Sequence, residues 1–107
     1  MENLRTREVE NLLYVFSKLD DCDDLFALLE DLFTIREIKE TSQRLDVARL
    51  LARGNSYNLV EQATGASTTT IARVSKCLSY GAGGYKRALE LLAEKPGLSD
   101  RISQEGC

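Results

Sequence analysis

The sequence predicts an all-α fold of about six helices with short connections, built as a single domain. Three observations carry that expectation. Apolar residues recur at helical spacing along most of the chain. All seven glycines lie at or beyond Gly54 and the one proline is Pro96, so the first half holds no breaker. No stretch reads as a strand, and no internal repeat is visible. With 107 residues, 43% hydrophobic and 29% charged, the chain has the balance of one globular core.

The elements follow in order. Leu4, Val9, Leu12, Leu13, Phe16 and Leu19 mark an amphipathic helix over about 4–19. Asp20, Asp21, Asp23 and Asp24 precede a second stripe, Leu25, Leu28, Leu29 and Leu32. Four acids there could suggest a metal loop, but no glycine follows at calcium-loop spacing, and Asp is favoured at a helix start. No metal site is expected. Thr34-Ile35-Arg36-Glu37 fits a capping box opening a long helix through Leu45, Ala48, Leu51 and Ala52, with Gly54 ending it. Asn55-Ser56 signals the next start, for a short helix with Leu59, Val60 and Ala63 as core. Thr64-Gly65-Ala66-Ser67 is a tight turn, and a helix from Thr68 to about Tyr80 buries Ile71, Val74 and Leu78. After a loop with Gly81, Gly83 and Gly84, a last helix spans Tyr85 to Glu94 on Leu89 and Leu92, stopped by Pro96-Gly97. The organisation read from this is 1–33 as N-terminal helices, 34–97 as a helix-turn-helix region with a C-terminal helix, the part expected to bind a partner, and 98–107 as a flexible tail.

Composition excludes several classes of function. There is no histidine, which removes the commonest general base and metal ligand. With no reactive-cysteine setting and no phosphate loop either, an enzyme is not expected. No apolar run approaches the roughly 20 residues of a membrane span, and no apolar signal core follows Met1. Cys22, Cys77 and Cys107 are odd in number and widely spaced, which predicts no disulfide framework and a cytoplasmic setting. Cys77 is expected to be buried on its helix.

Net charge is −3, which at first argues against a nucleic-acid partner. Its distribution reverses the inference. Residues 1–33 carry 3 basic and 9 acidic groups, residues 34–87 carry 9 basic and 4 acidic, and residues 88–107 carry 2 basic and 4 acidic. An acidic flank thus encloses a basic middle, with no acid between Gln62 and Leu89.

Within that middle, a short helix, a glycine turn and a second helix form a helix-turn-helix pattern. The second helix opens with Ser67, Thr68 and Thr69, continuing through Ala72, Arg73 and Lys76. Short hydroxyl and methyl side chains let a helix approach base edges in the major groove, and Arg or Lys meet phosphates. Asn58, Ser67, Thr68, Thr69, Ala72, Arg73 and Lys76 are therefore the expected DNA-contacting set. Arg36, Lys39, Arg44, Arg49, Arg53, Lys86 and Arg87 supply positive charge nearby. The same pattern occurs in helical domains that bind no DNA. The alternative is thus a protein–protein interaction module that presents the acidic 20–31 stretch.

The stretch from Arg36 to Leu92 resembles the Trp repressor family, and within it the YerC/YecD-type branch. The likeness rests on Gln43-Arg44-Leu45-Asp46-Val47-Ala48-Arg49, Arg53-Gly54-Asn55-Ser56-Tyr57, Gly65-Ala66-Ser67-Thr68-Thr69-Thr70-Ile71-Ala72-Arg73-Val74 and Cys77-Leu78-Ser79-Tyr80-Gly81. The Trp repressor is itself a standard example of helix-turn-helix docking, so the geometry is inherited from the resemblance. It implies an intertwined homodimer, with residues 1–33 in dimerisation, that sets two recognition helices about 34 Å apart on double-stranded DNA. It implies a sequence-specific transcriptional regulator, typically a repressor. Arg44 and Arg73 match the two arginines that flank the family's corepressor, and Thr34 and Thr70 occupy similar positions. A small-molecule effector pocket would then draw on Thr34, Arg44, Thr70, Arg73, Val74 and Cys77. Val74, however, stands where the repressor has glycine, Cys77 replaces a serine, and Asn58 and Glu61 stand where it has basic residues. These departures disfavour tryptophan as effector, and no other cofactor is expected.

Overall fold

The computed structural model describes residues 3–96. The expected 98–107 tail lies outside the described residues. Six helices follow in order: α1 Arg7–Lys18, α2 Cys22–Leu32, α3 Ile35–Ala52, α4 Tyr57–Thr64, α5 Thr68–Tyr80 and α6 Gly84–Ala93. No strand occurs among the described residues.

Local chemistry explains each boundary. Helix α1 starts later than expected because Thr6 is its N-cap, taking the Val9 N–H and leaving Leu4 and Arg5 outside. Asp21 caps α2 by accepting from Asp23 N–H at 2.9 Å, and Asp23 and Asp24 lie in the first turn beside the positive helix end. The acidic cluster is thus a helix start. At α3, Thr34 accepts from Glu37 N–H at 3.0 Å while Glu37 accepts from Thr34 N–H at 2.9 Å, which completes the capping box. Beyond α3, Gly54 takes a positive φ and Asn55 donates its side-chain amide to the Leu50 carbonyl at 2.9 Å.

The buried core is small and lies in the second half of the chain. Val47 and Ala48 of α3, Val60 of α4, Ala66 of the turn, and Ile71 and Val74 of α5 form it, with Leu50, Leu51, Leu78, Tyr85 and Leu89 at its margin. Helices α1, α2 and α6 contain no fully buried residue, and α1 packs closely on no other helix.

Two core expectations need correction. Leu59 is 48% exposed, and Ala63 is exposed as well. The inward stripe of α4 runs through Val60 and half-buried Thr64, one position further along, because a helix advances about 100° per residue. Ala66, just past the helix, takes the core place assigned to Ala63. Cys77 is exposed rather than buried, since α5 turns Ile71, Val74 and Leu78 inward and leaves Cys77 to one side.

Candidate nucleic-acid interface

The helix-turn-helix is assembled from short-range chemistry. Ser56 caps α4 by accepting from Leu59 N–H at 3.2 Å. Gly65 then adopts φ +75°, a left-handed conformation that only glycine takes readily, and its N–H closes on the Glu61 carbonyl. Ser67 caps α5, accepting from Thr70 N–H at 3.1 Å. Thr64 ties the turn: its hydroxyl donates to the Val60 carbonyl at 2.7 Å and accepts from Ala66 N–H at 3.2 Å.

Helix α5 is divided cleanly between two faces. Ile71 and Val74 are sealed against α3 and α4, with Val74 at 1% exposure. On the opposite side, Thr69, Ala72, Arg73 and Lys76 are exposed at intervals of three and four residues, so they form one outward stripe. Ser67 and Thr68 are exposed at its leading end, and Asn58 is exposed near the start of α4. All seven residues of the expected DNA-contacting set therefore reach solvent.

Charge sharpens the picture. Among the described residues the ion pairs are Arg5 with Glu10, Arg36 with Glu40 at 3.4 Å, Arg49 with Asp46 at 2.9 Å, and Arg87 with Glu90 at 3.0 Å. Three cations counted as available in the sequence, Arg36, Arg49 and Arg87, are thus held by acids three or four residues away. Lys39, Arg44, Arg53, Arg73, Lys76 and Lys86 have no acid partner among the described residues. Arg44 instead donates to the Thr41 hydroxyl at 3.3 Å.

Of the six residues expected around an effector, two line one cavity. Arg44 and Cys77 line an apolar groove of about 670 Å³, together with Phe16, Leu29, Phe33, Leu45 and Tyr85. Thr34, Thr70, Arg73 and Val74 are absent from that lining. Thr34 is occupied as the α3 cap, the Thr70 hydroxyl accepts from Ser67, and Val74 is closed in the core. Among the described residues no three His, Cys, Asp or Glu side chains gather as metal ligands would, and no helix is long and apolar enough to cross a membrane.

Two features of the site were not read from sequence. Ala66 is a core residue whose signal was available, a small apolar side chain directly after the turn glycine. Gln43 donates its amide to the Thr64 carbonyl at 3.1 Å across 21 residues, and no sequence signal announces such a bond.

Comparisons with known proteins agree with this architecture. The chain matches the family described as Trp repressor protein over residues 7–93. It is 43% identical over 94 residues to the uncharacterized protein YerC of Bacillus subtilis (strain 168), covering 88% of this chain and 90% of that one. A crystal structure of a TrpR like protein from Eubacterium eligens ATCC 27750 superposes with a TM-score of 0.80 at 42% identity, covering 85% of this chain and 94% of that one. A proposed Trp repressor from Staphylococcus aureus also gives a TM-score of 0.80, at 34% identity and with 86% and 92% of the two chains covered. By family match, identity and fold, this chain belongs to the Trp repressor family.

Proposed function

We propose that the protein is a transcriptional regulator that reads a sequence in the major groove of double-stranded DNA as a homodimer. The observation that carries this reading is the outward stripe of α5. Thr69, Ala72, Arg73 and Lys76 are exposed together, backed by buried Ile71 and Val74, with neither cation neutralised by an acid among the described residues. Small side chains allow close approach to base edges, while Arg73 and Lys76 supply groove or phosphate contacts. Asn58, Ser67 and Thr68 extend the contact surface at its ends. Lys39, Arg44, Arg53 and Lys86 are the unpaired cations available for the backbone.

The dimer is supported by the apolar faces that α1 and α2 leave open. Leu13, Tyr14, Val15, Phe26 and Leu32, on α1 and α2, are left exposed. A second copy supplies matching stripes to cover them. Tryptophan is not required in this reading, because the branched side chain of Val74 already fills the contact between α5 and the core.

Selection of bound fragments from random DNA, with and without a panel of amino acids, tests the proposal. The expected product is a palindrome whose enrichment does not depend on tryptophan. Replacing Arg73 by Ala should weaken binding to it by roughly five- to tenfold and reduce the salt dependence by about one counterion, with the fold unchanged. Failure to enrich any sequence at moderate salt overturns the reading and favours a protein-binding module.

A further inference from the structure

The apolar core presses α5 against α3 and α4, but dispersion and hydrophobic contact have no preferred direction. Packing sets the coarse angle at which the recognition helix is presented, and a directional bond between elements refines it. Among the described residues every side-chain hydrogen bond but one spans five residues or fewer. The exception joins α3 to the turn: Gln43 Nε2 donates to the Thr64 carbonyl oxygen at 3.1 Å, in a part-buried position.

The location of this bond gives it its meaning. Thr64 is the last residue of α4, so its carbonyl has no acceptor role inside the helix. Within the turn three other polar groups have partners: Gly65 N–H bonds the Glu61 carbonyl, Ala66 N–H bonds the Thr64 hydroxyl, and that hydroxyl bonds the Val60 carbonyl. Gln43 thus caps the end of α4 from a different helix. It fixes the turn to α3 from one side while Ala66, two residues on, is held in the core from the other.

We infer that Gln43 is a positioning residue for DNA reading: its hydrogen bond to Thr64 fixes the α4–α5 turn on α3 and so orients the outward stripe of α5. This rests on the DNA-reading proposal above. An error of a few degrees at Gly65 displaces Arg73 and Lys76, while contacts to base edges require donor–acceptor distances near 3 Å. Loss of the tie therefore falls on sequence-specific binding more than on nonspecific binding, which needs only charge near phosphate.

The test substitutes Gln43→Met, which keeps length and loses the donor, and Gln43→Lys, which restores a donor. Affinity for the selected operator, affinity for random DNA, thermal midpoint and amide exchange at residues 65–69 are measured for each. For Met the expected result is about a tenfold loss of operator affinity, little change on random DNA, and faster exchange at 65–69 than in α3. Lys should recover the protection at 65–69 and the ratio of operator to random affinity. Met binding the operator as the unsubstituted chain does overturns the inference. So does a Met variant that loses both affinities together with its thermal midpoint, since the tie then holds the fold and not the reading angle. If the unsubstituted chain selects no sequence, the DNA-reading proposal itself has failed; failure of the Met arm on a chain that does select is failure of this inference alone.

Discussion

The two halves of the chain have similar amphipathic helices and opposite fates. In α3–α5 the apolar stripes meet each other, and Val47, Ala48, Val60, Ile71 and Val74 are closed off from solvent. In α1 and α2 the stripes are as regular, yet no residue is fully buried, and Leu13, Tyr14, Val15, Phe26 and Leu32 remain open. The contrast teaches that a helical stripe says that a face needs covering but not what covers it. The reading half completes its own core. In the homodimer proposed above, a second copy completes the N-terminal half.

The largest expected effect breaks the self-sufficient half. Ile71→Ala empties a fully buried site shared by three elements and should cost about 2–5 kcal/mol in denaturant unfolding. An effect below 1 kcal/mol means that the reading half does not depend on this core. Next comes the half that needs a partner. Leu13 is 43% exposed in the single chain, so Leu13→Ala should leave its local folding nearly unchanged. If a second copy covers it, the same change weakens dimerisation by about 2 kcal/mol, roughly thirtyfold in dissociation constant by sedimentation equilibrium. A monomeric wild-type chain at all concentrations removes the comparison altogether. The smallest effect sharpens the reading half further. Gly65→Ala has space for a Cβ, since nothing lies within 4 Å, so any loss comes from its φ of +75° alone. It should cost about 1–2 kcal/mol, read as a lower thermal midpoint.

Much of the fold was legible because its boundaries are set locally. The capping box at Thr34 and Glu37, the caps at Ser56 and Ser67, and the span of α5 depend on residues within four positions of each other. The exposure of Thr69, Ala72, Arg73 and Lys76 was legible for the same reason, since it follows from which side of α5 carries Ile71 and Val74. Where sequence reading failed, the deciding contact was remote. Leu59 and Ala63 suited a core by composition, but α4 is eight residues long and its approach to α3 turned Val60 inward. Arg36, Arg49 and Arg87 looked like free charge until their side chains were seen to settle on Glu40, Asp46 and Glu90.

By itself the sequence determined six helices, their caps, the glycine turn and the outward composition of α5, because hydrogen bonds within a helix and its first turn are local. Only the tertiary structure decided which stripes become core, that Val74 is sealed rather than lining a cavity, and that Gln43 reaches the Thr64 carbonyl. Those outcomes depend on how helices far apart in the chain lie against one another. Packing of that kind rests on the combined shape of several surfaces, and no one segment contains that shape.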